Sequence, residues 1–161
     1  AICAVNIPGD IVEIWCWEGR STIELLKVAH KFGRKVWAVD PWDGTGGNPA
    51  GEDRYEQFLA NTQPLSHCLH VLRMHSQSPE AVRQIQVRPL CFAFVDGLHS
   101  YEAVLSDLAT TVHCAGIICC DDTSWNAGVL KAALEQAKAF DKLPILRSQF
   151  REMYLVPRFE E

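Results

Sequence analysis

The sequence predicts an α/β fold, a doubly wound, mostly parallel sheet with helices on both faces. Three observations carry that expectation. Short β-branched and apolar runs alternate with longer runs of helical period, the pattern of parallel strands joined by crossover helices. The first apolar run passes through a glycine turn straight into a helix, in Asp10 to Thr22, DIVEIWCWEGRST. The chain closes on two strand-like runs, Leu143 to Leu146 and Met153 to Val156, which read as an antiparallel pair. Five parallel strands and that C-terminal antiparallel pair make a Rossmann-like, seven-stranded sheet.

The elements follow in order. Ala1 to Gly9 is a lead-in ending in the Pro8-Gly9 turn signal. Strand one runs from Asp10 to Ile14, and its helix follows Gly19 and ends near Phe32-Gly33, where glycine suits the left-handed stop. Lys35 to Val39 is the second strand, closed by Asp40-Pro41. Pro41 to Gly51 is Gly- and Pro-rich loop, either a mobile lid or plain connection, before a short helix over Glu52 to Asn61. His70 to Met74 is strand three. Pro79 to Gln86 is a helix with Ser78 as N-cap and proline at its first position. Leu90 to Val95, LCFAFV, is apolar on both faces and therefore central. Ser100 to Val112 is a helix, Gly116 to Cys120 the fifth strand, and Trp125 to Phe140 the last helix.

The 161 residues predict one domain spanning 1–161, large enough for a real core. A net charge of −5 with no Lys/Arg cluster argues against a nucleic-acid partner. No apolar run reaches the roughly 18 residues of a membrane span, and the opening residues lack the basic and apolar regions of a signal peptide. Seven cysteines, an odd number without a C-x-x-C pair, include Cys16, Cys91, Cys119 and Cys120 in or beside apolar strands. They read as buried, reduced thiols of a cytoplasmic protein rather than as disulfide or zinc ligands.

Ligands of open α/β sheets bind beyond the carboxyl ends of the strands. Asp40 closes strand two, 21 positions past Gly19, the spacing at which an acid commonly holds ribose hydroxyls. Asp96 closes strand four, and Asp121 and Asp122 close strand five. Three converging carboxylates repel one another unless a cation joins them, and all-oxygen ligation suits a hard divalent ion such as Mg²⁺. His99, three residues past Asp96, is placed to take a proton from a hydroxyl at that cation. Glu13, inside an apolar strand, is costly to bury unless paired with a ligand ammonium or with turn amides. Trp17, Trp42 and Trp125 fall in the same edge loops, as stacking walls or as ordinary packing. His30, His67, His70 and His113 read as surface or core filler.

In PGDIVEIWCWEGRST, AVDPWDG, FVDGLHSYEAVLSDL and GIICCDDT, taken in that order, the chain resembles the class I S-adenosylmethionine-dependent methyltransferases. It is most similar to the small-molecule O-methyltransferase group that includes macrocin-type sugar methyltransferases and cephalosporin hydroxylase-like proteins. The resemblance implies that Glu13 and Gly19 belong to the cofactor-binding first motif and that Asp40 holds the cofactor ribose. It places Ser76 near the adenine-side loop and Asp96 beside both cofactor and metal. Asp96, Asp121 and Asp122 match the divalent-metal ligands, and His99 matches the general base. Trp15 departs from the family's glycine beside the cofactor's methionine part, and its indole is expected to crowd the pocket. N-terminal cap helices are expected to be absent, which makes a homo-oligomer that supplies the missing wall one expectation.

The function so implied is methyl transfer from S-adenosylmethionine to a hydroxyl of a small-molecule acceptor, assisted by a divalent metal. The rival readings are a catalytically inactive binding protein of the same fold, motivated by Trp15, and a nicotinamide-dependent oxidoreductase. The absence of G-x-G-x-x-G after strand one and the antiparallel tail count against the oxidoreductase.

Overall fold

The structure, a computed structural model, describes residues 6–45, 53–124, 126–147 and 151–157. Trp125, Cys3, most of the lead-in and much of the 41–51 loop lie outside the described residues. The strands are β1 (Asp10–Ile14), β2 (Val36–Asp40), β3 (Leu69–Arg73), β4 (Leu90–Val95), β5 (Ala115–Cys120), β6 (Lys142–Arg147) and β7 (Glu152–Pro157). They form one seven-stranded sheet in the order β3-β2-β1-β4-β5-β7-β6. The pairings from β3 through β5 are all parallel. β7 runs antiparallel to both of its neighbours, so the closing hairpin inserts its second strand beside β5 and leaves β6 at the edge.

The helices are α1 (Arg20–Phe32), α2 (Tyr55–Thr62), α3 (Pro79–Gln86), α4 (Tyr101–Val112) and α5 (Ala127–Ala139). Their ends follow local chemistry. Gly33 takes φ 64 and returns its amide to the Ala29 and His30 carbonyls, the left-handed stop that glycine makes without a Cβ clash. Ser78 accepts the amide of Ala81 and Ser100 that of Ala103, both at 3.2 Å. Ser100 is thus a cap rather than the first helical residue. Asn126 caps α5 through Gly128 and Val129, so that helix starts at Ala127 instead of residue 125. α2 begins at Tyr55, whose amide donates to Asp53 Oδ1 at 2.8 Å, and runs into a 3₁₀ segment, Gln63–Cys68, that the sequence did not announce. Pro64 lacks the amide that would continue an α-helix.

The sheet separates two apolar layers. One packs α3, α4 and α5 on it through Ile85, Leu108 and Ala133, and the other packs α1 through Leu26 and Ala29. Val12 and Ala93 are completely buried at the sheet centre, which is why LCFAFV has no polar face. Removing a buried leucine such as Leu108 from a layer of this kind costs about 2–5 kcal/mol. β1 pairs β2 on one side and β4 on the other. The strand order therefore reverses at β1, and the crevice beyond its carboxyl end is where an open α/β sheet takes a ligand.

Candidate active site at the carboxyl rim of the sheet

The turn after β1 is held under backbone strain. Trp15, Trp17 and, after β2, Trp42 have φ of 67, 47 and 47, a region that costs a bulky L-residue about 1–3 kcal/mol. Several bonds enforce it. Trp15 N donates to the Val39 carbonyl and Gly19 N to the Cys16 carbonyl, both at 2.8 Å. Asp40 supplies the rest. Its Oδ2 accepts Cys16 N at 2.8 Å and Trp17 N at 2.9 Å, and its Oδ1 accepts Trp42 N at 2.7 Å. Burial raises the Asp40 carboxyl above the usual range, while the three amides oppose that rise. Asp40 thus stands at the end of β2 as expected, with about three of its four lone-pair sites engaged by the turn.

Gly19 is required twice. It takes φ 84, and a Cβ there would meet Phe58 Cδ2 at 3.0 Å and Thr62 Cγ2 at 3.1 Å. It leads into α1 without a side-chain cap, so the first amides of that helix face the crevice with the positive end of its dipole. Trp42 is packing rather than pocket wall. It is buried, tilts against Phe58 with centroids 4.6 Å apart, and donates Nε1 to the Trp17 carbonyl at 2.7 Å. Trp17 is 56% exposed.

Glu13 is completely buried beneath this turn. Ser21 Oγ donates to its Oε1, and its Oε2 makes no hydrogen bond. Burial pushes its carboxyl up to about 7 against the pull of the Ser21 hydroxyl. An acceptor left unpaired at full burial costs about 1–3 kcal/mol, so it is a place where a donor is wanted.

The second cluster joins the ends of β4 and β5. His99 Nε2 lies 2.6 Å from Asp122 Oδ2 and 3.9 Å from Asp96 Oδ1. One donor atom from each of Asp96, His99 and Asp122 falls within 4.8 Å of the others. Asp122 reaches this position through a left-handed backbone, φ 58. Asp121 lies alongside but outside that set, its Oδ1 accepting Asp122 N at 2.8 Å. Burial and the Asp121 and Asp122 charges push the Asp96 carboxyl up to about 8, and burial raises Asp121 as well. Proximity of like charges in a half-dry site is the condition a bound cation relieves. Two carboxylates and an imidazole are a donor set that accepts a divalent ion, so the residues fit such a group.

Beside the second cluster, the backbone of Gly97 is closely packed. A Cβ there would meet Asp107 Oδ2 at 2.6 Å, Trp15 Cδ1 at 2.9 Å and Trp15 Nε1 at 3.1 Å. Asp107 is buried, accepts Gln77 Nε2 at 2.8 Å, and is raised by burial to about 6. The indole Nε1 of Trp15 makes no hydrogen bond, and the hydroxyl of buried Ser76 pulls the Asp107 carboxyl down against that rise. Trp15 also meets His75 edge-on, centroids 6.3 Å apart. The indole therefore lies inside the crevice, over the one position of the β4 loop without a side chain.

The structure brings Glu13, Trp15, Gly19, Asp40, Ser76, Asp96, His99, Asp121 and Asp122 to one rim. Sequence reasoning missed Ser21, Gln77, Gly97 and Asp107. Asp107 was signalled: it falls on the buried Val104, Leu108 and Thr111 stripe of α4, where an acid is expensive.

This strand order, with one reversed strand and an acid-lined crevice beyond β1, β4 and β5, defines a class I S-adenosylmethionine-dependent methyltransferase domain. The chain belongs to the methyltransferase domain family, whose defining pattern matches residues 12–123. Among solved structures it is similar to the O-methyltransferase NovP, with TM-score 0.71 and 21% identity over 97% of this chain and 74% of that one. It is also similar to apo CalS11, a TDP-rhamnose 3'-O-methyltransferase of calicheamicin biosynthesis, at 0.70 and 16% over 95% and 73%. SAH-bound PaMTH1 of Podospora anserina matches at 0.66 and 11% over 98% and 76%. These likenesses carry the fold. No curated protein matches the sequence. Among the described residues, no helix is long and apolar enough to cross a membrane.

Proposed function

We propose that this domain transfers a methyl group from S-adenosylmethionine to a hydroxyl of a small-molecule acceptor. The observation that carries the reading is the Asp96, His99 and Asp122 cluster at the carboxyl rim of a methyltransferase-family sheet. NovP and CalS11 are O-methyltransferases and PaMTH1 is SAH-bound, which supports both the donor and the kind of acceptor.

Glu13 Oε2 and the uncapped start of α1 suit the ammonium and carboxylate of the donor's methionine part. Asp40 fixes the turn and offers its remaining lone pair to the ribose. Ser76 lies at the adenine side. Asp96 and Asp122, with Asp121 alongside, would hold a divalent cation such as Mg²⁺, which when bound would supply Lewis acidity toward the acceptor hydroxyl. His99 takes the hydroxyl proton at Nδ1, while its Nε2, 2.6 Å from Asp122 Oδ2, donates to that carboxylate, which orients the ring and stabilises the imidazolium. The acceptor oxygen displaces sulfur in line from the methyl carbon. An O–C bond forms, the S–C bond breaks, and S-adenosylhomocysteine leaves. Alignment of the two reactants supplies much of the rate gain.

The test is transfer of an isotope-labelled methyl group to a panel of sugar and phenol hydroxyls with added Mg²⁺. Labelled product that is lost in His99→Ala is expected. Labelling that is unchanged in His99→Ala contradicts the assignment.

A second reading, a non-catalytic binding domain, is favoured by the Trp15 indole against Gly97. On that reading Trp15→Gly creates donor binding that the native chain lacks. Tight binding by the native chain removes it.

A further inference from the structure

We propose a transition-metal site on the opposite rim of the sheet, where His30, His67 and Cys68 bind a borderline-soft divalent ion of the zinc class. α1 returns from the carboxyl rim, so His30, in its last turn, stands where the parallel strands begin. His67 and Cys68 end the 3₁₀ segment that feeds β3 at Leu69. The three residues thus meet at the amino rim, away from Asp96, His99 and Asp122.

The geometry is close to a ligand set. His30 Nδ1 and His67 Nε2 are 3.0 Å apart across 37 residues of chain, with the rings edge-on at 5.0 Å. Cys68 is a free, buried cysteine, and one donor atom from each residue lies within 4.8 Å of the others. A tetrahedral ion with bonds of about 2.0 Å to nitrogen and 2.3 Å to sulfur needs donor separations of roughly 3.3–3.6 Å. Small rotations of the two exposed imidazoles supply that. Imidazole and thiolate together select zinc-class ions over Mg²⁺ or Ca²⁺. The negative end of the α1 dipole adds attraction. Lys31 shares the last turn of α1 with His30 and opposes a cation there, while Lys35 Nζ donates to the His67 carbonyl at 2.7 Å, so it fixes the segment's backbone rather than taking a ligand atom. Two N–metal bonds and one S–metal bond form, the S–H bond breaks with its proton passing to buffer, and water completes the fourth position. The ion ties the end of α1 to the entry of β3, a fastening role.

Co²⁺ is the probe, because a thiolate-to-cobalt charge-transfer band reports sulfur ligation and the acidic cluster has no sulfur. One equivalent of Co²⁺ is expected to raise that band, and Zn²⁺ to displace it. Cys68→Ser abolishes the band. His30→Gln and His67→Gln, at exposed positions that leave the core intact, weaken binding by more than about 100-fold, beyond the loss of an outer partner. Asp122→Asn leaves the band unchanged. Saturating Zn²⁺ raises the unfolding temperature of Asp122→Asn and not of the double variant Asp122→Asn, His67→Gln. No sulfur band at millimolar Co²⁺, a band that survives Cys68→Ser, or unchanged affinity in both histidine variants overturns the site.

Discussion

The two rims of the sheet are made by the same strands and helices, yet they distribute strain and unmet polarity differently. At the amino rim, Asp10 accepts the Lys35 amide and the Trp37 indole. Gly33 turns with nothing within 4 Å of where a Cβ would stand. At the carboxyl rim, Trp15, Trp17, Trp42 and Asp122 are left-handed, and Glu13 and Trp15 keep buried polar atoms without a hydrogen bond. The amino rim shows less of both, with left-handed Asp141 and the unpaired Gln136 Oε1, so the larger share of strain and unmet polarity marks the carboxyl rim as the candidate active site.

The strongest way to break that contrast is at the proton acceptor. His99→Ala should lower methyl transfer by about 10²–10⁴-fold, with the fold intact by circular dichroism. A loss below about tenfold removes His99 from the chemistry.

Next in size is the buried acid. Glu13 titrates near 4.5 when exposed and near 7 in the folded chain. Between those values the folded state holds a proton that the unfolded state has released. The contribution of Glu13 to stability is therefore greatest below pH 4.5 and falls as pH rises to 7, by an amount on the order of 3 kcal/mol. Asp107, raised to about 6, and Asp96, raised to about 8, act in the same direction. Glu13→Gln should flatten the fall in urea denaturation from pH 5 to 8 while leaving low-pH stability alone. An equal slope in both chains contradicts the burial account.

A smaller effect belongs to the packing at Gly97. Gly97→Ala places a methyl 2.6 Å from Asp107 Oδ2 and should cost about 1–3 kcal/mol by overpacking. Trp17→Gly should be the mildest change. At φ 47 and 56% exposed, Trp17 pays left-handed strain and packs little, so glycine should raise stability by up to about 1 kcal/mol. A loss of stability there means that the indole does more than its exposure suggests.

Much of this was legible in the chain. Periodicity gave the strands and helices to within a few residues, because LCFAFV and GIICC have no polar face to confuse the reading. Acids after three strand ends marked the rim. What stayed hidden depends on three-dimensional proximity. Asp40 reads as a ligand acid, and only the folded turn reveals the three amides it accepts. His30 and His67 read as filler because 37 residues separate them. Trp42 read as an edge-loop aromatic of open role, whereas α2 covers it. Trp15 was legible as an intruder, but not that its indole rests over Gly97.

The most direct measurement is calorimetric titration of the chain with S-adenosylmethionine, with and without Mg²⁺. A carboxyl rim built for methyl transfer predicts saturable binding well tighter than about 1 mM, weakened by Asp40→Ala. No heat at millimolar donor in either condition contradicts it.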